Sequence, residues 1–173
     1  MIRKAEERDI PAITAIYEAI HDAEETGKVT IGWMRGVYPV EATARRALQL
    51  GTLYVMEADG RVVAAAKIDQ EQVEEYVDCP WRYPAEDSQV LVLHTLVVDP
   101  AAGRRGCGSA FVAFYEQQAR ERGIPYLRLD TNCRNSNARA LYQKMGYWEA
   151  GIVSCTFNGI SGVQLVCLEK KVN

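Results

Sequence analysis

The run VLVLHTLVV, from Val90 to Val98, is nearly continuously apolar, the pattern of a strand covered on both faces rather than one. A strand of that kind sits in the middle of a sheet, so the rest of the chain must supply neighbours on both sides and layers above and below it. Asp99-Pro100 ends the run. GRRGCGSAF, Gly103 to Phe111, then leads into a helix from about Gly108 to Arg122 that closes at Gly123. The next strand is YLRLDT, residues 126–131. Two strands joined through a helix are expected to be parallel neighbours, and ligand sites in such pairs commonly open at the strands' C-terminal ends.

The flanking segments fit around that unit. A short strand at Met1–Lys4 precedes a helix that Asp9 can cap, with Pro11 in its first turn and Ile13, Ile16, Tyr17 and Ile20 at helical spacing. Glu41 to Leu50 is a second helix, stopped by Gly51. TLYVMEA and RVVAAAKI flank Asp59-Gly60, a hairpin signal. Residues 69–89 form a long polar connection, and loops of that length are often functional. Ser136 to Met145 is a further helix ended by Gly146, and YWEAGIVSCTF and VQLVCLEKK are last strands joined around Asn158-Gly159. The expected fold is α+β with α/β/α layering: a mixed, largely antiparallel central sheet with helices on both faces. At 173 residues the chain is read as one domain, 1–173.

Composition narrows the function classes. The net charge is −3, which argues against non-specific nucleic-acid binding. The charge is uneven: residues 1–89 hold 10 Lys/Arg against 17 Asp/Glu, and residues 90–173 hold 10 against 6. The basic half carries the glycine loop, so an anionic ligand there and a cationic one opposite would be complementary. Five cysteines (79, 107, 133, 155 and 167) show no CxxC spacing; a zinc site or disulfide framework is not expected, and a reducing, cytoplasmic setting is. The N-terminus has no apolar signal core, and no run approaches the ~20 apolar residues of a membrane span.

Three glycine-loop patterns compete for GRRGCGSAF. A dinucleotide fingerprint needs a third glycine where Phe111 stands, and a P-loop needs Lys-Ser/Thr where Ser109-Ala110 follow Gly108. The third is (Gln/Arg)-x-x-Gly-x-(Gly/Ala) opening a helix after a strand. Here Gly106 and Gly108 let backbone N–H groups of Gly106, Cys107, Gly108 and Ser109 approach a diphosphate, and Arg104 and Arg105 can pair with its oxygens. A tight turn that binds nothing is the alternative.

LVVDPAAGRRGCGSAFV and, downstream, NSNARALYQKMGY resemble the pyrophosphate loop and the Asn-x-x-Ala-x-x-Leu-Tyr element of the GCN5-related N-acetyltransferase (GNAT) superfamily, in the family's order. The family's leading Gln/Arg falls on Gly103. The resemblance implies acetyl transfer from acetyl-CoA to an amine by direct attack. It implies that backbone groups of Leu96, Val97 and Val98 hold the pantetheine arm beside a strand bulge, that Asn135 contacts CoA, and that Tyr142 protonates the departing sulfur. Helix capping is the alternative role for Asn135, and core packing for Tyr142.

Three sources of the base stay open: His94, Asp130, or a chain of waters. His94 resembles a relay histidine of arylalkylamine acetyltransferases, although the second histidine of that pair would fall on Val92. Asp130 sits where ribosomal-protein acetyltransferases carry an acidic base. His21 reads as a solvated residue. Trp33, Tyr38, Trp81 and Tyr83 are candidate walls of an acceptor slot or simply cover the core, and a small amine is the expected acceptor, with a peptide N-terminus as another option. The rivals are a non-catalytic acyl-CoA-binding module and a nucleotide-binding oxidoreductase. The last two strands are candidate pairing edges for a homodimer.

Overall fold

The computed structural model describes residues 1–102 and 105–172. Seven strands form one mixed sheet: β1 (Ile2–Lys4), β2 (Leu53–Ala58), β3 (Arg61–Asp69), β4 (Val90–Val98), β5 (Tyr126–Asn132), β6 (Trp148–Phe157) and β7 (Ile160–Lys171), in the order β1-β2-β3-β4-β5-β7-β6. Four helices cover it, α1 (Ile10–Glu25), α2 (Glu41–Gln49), α3 (Cys107–Glu121) and α4 (Ser136–Lys144). The expected α+β class holds, and β4, at the centre, is the fully covered strand. Only β4 and β5 run parallel; every other pair is antiparallel.

Alternation along the strands sorts the core into two layers. Leu91, Leu93, Leu127, Leu129 and Leu168 point to one face and pack against Phe111, Val112 and Tyr115 of α3 and Tyr142 of α4. Val55, Ala65 and Val97 point to the other face, under the isoleucines of α1 and the alanines of α2. Further along that face Val90, Val92, Leu165 and Cys167 lie beneath Tyr76 and Cys79 of the β3–β4 connection. Burying a Leu or Ile side chain is worth roughly 1.5–3 kcal/mol, so these two layers set the position of β4 and everything attached to it.

Four details depart from the sequence reading. Asp9 does not cap α1; it is buried, with both oxygens on Arg3 (2.8 and 3.0 Å) and the Glu6 N–H at 2.8 Å, inside a short 3-10 turn. That ion pair consumes the oxygens a cap would use. His21 is buried rather than solvated, its Nε2 3.0 Å from the Pro39 carbonyl. It ties α1 to the approach to α2. The last strand begins at Ile160, three residues before Val163, because Asn158 and Gly159 both take positive φ (50° and 78°) and turn the chain in two residues. And of the last two strands only β6 lies at a sheet edge; β7 is held between β5 and β6.

One irregularity decides where a ligand can enter. Between Ala65 and Lys67 of β3 the partner on β4 moves from Val97 to His94, so β4 carries one extra residue. Thr95 sits there with φ 51°, a left-handed conformation that a β-branched residue rarely adopts. Pairing between β4 and β5 covers Val90–Leu93 against Tyr126–Leu129 and stops there. Beyond it the two strands part, and the sheet has a gap at its centre.

Candidate active site

The gap opens into a cavity of about 810 Å³ that passes through the sheet. On the α4 side it is lined by Asn135, Ala138 and Tyr142, and on the opposite side by Trp33, Tyr38, Glu71 and Phe157. His94, Thr95 and Leu96 of β4 and Asp130 of β5 form its waist.

Backbone geometry sets the β4 wall. The Asp99 N–H donates to the Val63 carbonyl at 2.8 Å, so Asp99 and Val63 are a hydrogen-bonded pair. Alternation then aims the Val97 N–H at β3 and the Val98 N–H away from it, into the gap. The amide of Val98 therefore meets the cavity with no strand across from it. Leu96 and Val97 also line the cavity.

At the head of α3, Gly106 takes φ 74°, ψ 15°, and Cys107, Gly108 and Ser109 are the first helical residues. Their N–H groups precede the first intrahelical bond, Ala110 N to Gly106 O at 2.9 Å. With no intrahelical acceptor among the described residues, they form a patch of N–H donors at the positive end of the helix. A Cβ on Gly108 would lie 3.2 Å from Leu141 Cδ2, so glycine there lets α3 start hard against α4. Arg105 is exposed and bonded to Asp59 at 3.1 Å; a surface pair of this kind is weak and readily exchanged for a phosphate. Gly103 and Arg104 lie outside the described residues.

Asn135 is the N-cap of α4, its Oδ1 accepting the Ala138 N–H at 3.2 Å, and it also lines the cavity. Two turns on, Tyr142 packs its ring on Tyr147 (centroids 5.9 Å apart). Burial, with some help from the Asp130 charge, pushes its phenol well above the usual range, so the hydroxyl stays protonated.

Asp130 and His94 point to the opposite face of the sheet, at the point where β4 and β5 part. Burial pushes the Asp130 carboxyl up to about 6, against the pull of a hydrogen bond from the Tyr76 hydroxyl to Oδ2 (2.7 Å) and of His94 nearby. The His94 Nε2 lies 3.1 Å from Asp69 Oδ1. Burial opposes charge on Asp69, but His94 and Lys67 (3.0 Å) outweigh it and hold that carboxyl below its ordinary value. Lys67 also bonds Glu71 at 2.5 Å. Glu71, Asp130 and Lys67 line this end of the cavity, and Asp69 backs it from behind His94 and Lys67, so the group as a whole is acidic.

Trp33 and Tyr38 wall this end together, edge to face at 5.9 Å, with the Tyr38 hydroxyl bonded to Thr95 Oγ1. Burial raises the Tyr38 phenol to about 12. Tyr83 and Trp81 are elsewhere. Tyr83 stacks on Tyr126 (5.3 Å, 17°), and Trp81 lies between Tyr76 and the Arg128 guanidinium, 4.1 Å above its ring. These two cover the sheet and leave the cavity to Trp33 and Tyr38. Tyr76, Thr95 and Phe157 were not singled out by sequence. Tyr76 was hidden in the acidic run EQVEEYVD, where one aromatic among carboxylates was the only signal. Among the described residues no group of three His, Cys, Asp or Glu is placed to hold a metal ion, and no helix is long and apolar enough to cross a membrane.

A mixed sheet parted between two parallel strands, with free amides on one strand and a glycine-led helix start beside them, is the GNAT-like acyl-CoA acyltransferase fold. The chain belongs to the acetyltransferase (GNAT) family, whose family model matches residues 13–147. Among solved structures, a GNAT-family acetyltransferase of Streptococcus agalactiae superposes with a TM-score of 0.82 at 22% identity, covering 100% of this chain and 95% of that one. The yncA protein of Salmonella typhimurium, solved with its cofactor acetyl-CoA, gives 0.68 at 18% identity over 100% and 94%. An uncharacterised N-acetyltransferase of Methanocaldococcus jannaschii is 30% identical over 76 residues, 44% of this chain and 34% of that protein. The match thus spans about a third of that relative's length.

Proposed function

We propose that this protein is an N-acetyltransferase that moves the acetyl group of acetyl-CoA to a small primary amine in a ternary complex. The observation that carries the reading is the gap: the cavity through the sheet is lined by the protonated phenol of Tyr142 on one side and by the buried Asp130 carboxylate with its raised pKa on the other. Family membership supports acetyl-CoA as the donor. The glycine-led start of α3 would take the diphosphate, and the Val98 amide one polar group of the pantetheine arm.

Asp130 is the base in this reading. Its raised pKa matches a group that must take a proton near neutral pH, and the acidic end of the cavity draws in an ammonium. The ammonium gives a proton to Asp130, and the free amine attacks the thioester carbonyl. The N–C bond forms and the oxyanion forms on the carbonyl oxygen. On collapse the C–S bond breaks, the nitrogen loses its second proton to solvent, and Tyr142 donates its proton to the sulfur. His94, held by Asp69, is the second candidate for the base. The apolar bodies of Trp33, Tyr38 and Phe157 favour an acceptor whose amine is carried on an aromatic or aliphatic group.

Calorimetric titration with acetyl-CoA, with NAD and ATP as controls, tests the reading, followed by thiol release over a panel of amines. Micromolar binding of acetyl-CoA alone is expected, and no binding would overturn the proposal. Binding with no turnover on any amine would favour the non-catalytic acyl-CoA module. In a Tyr142→Phe variant kcat is expected to fall by about 10²-fold or more, the usual contribution of a positioned acid, with acetyl-CoA affinity within a few-fold of wild type. An unchanged kcat would remove Tyr142 from the chemistry.

A further inference from the structure

We propose that Tyr76 is the positioning residue of the active site: its hydroxyl fixes which oxygen of Asp130 meets the substrate and keeps that oxygen ready to take a proton. The inference rests on the reading of Asp130 as base, and its test is arranged so that the two can fail separately.

The contact is well built. Tyr76 is buried, in a 3-10 turn (Glu74–Asp78) of the β3–β4 connection, and it donates to Asp130 Oδ2 at 2.7 Å across 54 residues of chain. With Oδ2 occupied, Oδ1 is the oxygen left for a proton arriving from the cavity. A short 3-10 turn has little stability of its own, so something else must hold Tyr76 over the sheet. Trp81 does so first: its indole N–H donates to the Tyr76 carbonyl at 2.9 Å, and the rings meet edge to face at 5.1 Å. Arg128, buried on β5 two residues before Asp130, lies over the Trp81 ring and donates to the Tyr83 carbonyl at 2.7 Å. Glu169, buried opposite Arg128 on β7, accepts the Arg82 and Tyr83 amides at 2.6 and 3.3 Å. A buried pair of opposite charges that spends its hydrogen bonds on one loop is costly if only the loop's cover is gained. Here it locks the segment CPWRYP, and through Trp81 it locks Tyr76 onto Asp130.

Other groups also face Asp130. They are His94 on β4, Glu75 beside Tyr76, Tyr38 from the α1–α2 loop, Tyr142 on α4, Cys155 on β6 and Cys167 on β7. Of these, His94 favours the carboxylate and Glu75 opposes it. Among the described residues Tyr76 alone donates a hydrogen bond to it. Removing that bond therefore makes the carboxylate easier to protonate, since a donor to the charged form lowers a pKa.

The test is a Tyr76→Phe variant, which keeps the ring and its packing on Trp81. The Asp130 carboxyl is followed by carbon NMR across pH, its resonance assigned by its loss in Asp130→Asn, and kcat/KM is measured over the same range. In the variant both the NMR midpoint and the acidic limb of kcat/KM are expected to move up by about one pH unit, the effect of a charge-assisted hydrogen bond. The loss of activity would be about fivefold near pH 6, approach tenfold below pH 5, and be small at pH 8. A purely structural role would lower activity equally at every pH. An NMR midpoint that stays in place overturns the inference about Tyr76. A midpoint that moves while the kinetic limb does not overturns Asp130 as the base, and with it the catalytic part of the inference. If Tyr76→Phe does not fold, Trp81→Phe removes the N–H that seats Tyr76, and a smaller shift in the same direction is expected; no shift would count against the proposal.

Discussion

Asp130→Asn is expected to give a protein that is more stable than wild type above pH 6 and at least 10²-fold less active. The two effects have one cause. Burial raises the Asp130 carboxyl to about 6, against about 4 for an aspartate in an unfolded chain. A group whose folded pKa is raised lends stability that is complete below its unfolded pKa and is lost as pH climbs through the folded value. Ionised Asp130 therefore costs the folded state about 3 kcal/mol above pH 7, taking 1.36 kcal/mol per unit over about two units. Asparagine carries no charge to desolvate, and its side-chain oxygen can still accept the Tyr76 hydroxyl. The advantage of the variant should be near zero at pH 4, grow through pH 5 and 6, and level off above pH 7. In melting temperature it corresponds to roughly 6–12 °C at pH 8 for a chain of this size. Thermal melts at several pH values beside kcat/KM measure both halves. A variant that is inactive yet no more stable would mean that the carboxylate is already well solvated in the folded protein, and the raised pKa would be withdrawn. A variant that is more stable yet fully active would pass the role of base to His94.

This pairing of a stability cost with a catalytic gain explains why Asp130 stands out only in the folded structure. In sequence it is one aspartate in a strand, equal in weight to His94. Its carboxyl is raised by burial, against the pull of residues 76 and 94, and that setting exists only once sheet pairing has brought distant segments together. Groups whose placement rests on local backbone chemistry were legible. Gly106 and Gly108 at the start of α3, Asn135 as an N-cap and Tyr142 two turns later all belong to short stretches whose spacing carries the meaning. The central strand was legible as well, because a doubly covered strand has no polar face. What could not be read depends on register. The slip at Thr95, the end of the β4–β5 ladder at Leu93, and the seating of Tyr83 on Tyr126 rather than on the cavity each follow from pairing between segments far apart in the chain. His21 shows the same limit: beside Asp22 it looks solvated, and only the return of the chain at Pro39 buries it.

The β4 wall yields a sharper test than any side chain, because adjacent amides there point in opposite directions. The Val97 N–H points toward β3, while the Val98 N–H points into the gap. Proline removes an N–H and keeps an extended backbone, so it distinguishes the two. Val97→Pro deletes a ladder bond in the centre of the sheet and leaves a buried carbonyl on β3 without a donor. A loss on the order of 3 kcal/mol or outright failure to fold is expected. Val98→Pro deletes a donor that no strand uses, as at a sheet edge, where proline is tolerated. Its folding cost should be about 1 kcal/mol, from trimming a half-buried valine. Acetyl-CoA binding, however, should weaken about tenfold or more, because one hydrogen bond is lost and the ring intrudes where the pantetheine arm would lie. Circular dichroism melts and calorimetry on the pair give the answer. If Val98→Pro folds and binds acetyl-CoA like wild type, the donor does not lie along β4 and the gap serves something else. If it folds and does not bind, the parting of β4 from β5 is what the bulge at Thr95 is for: it frees one amide for the ligand at the centre of a sheet whose other strands spend theirs on each other.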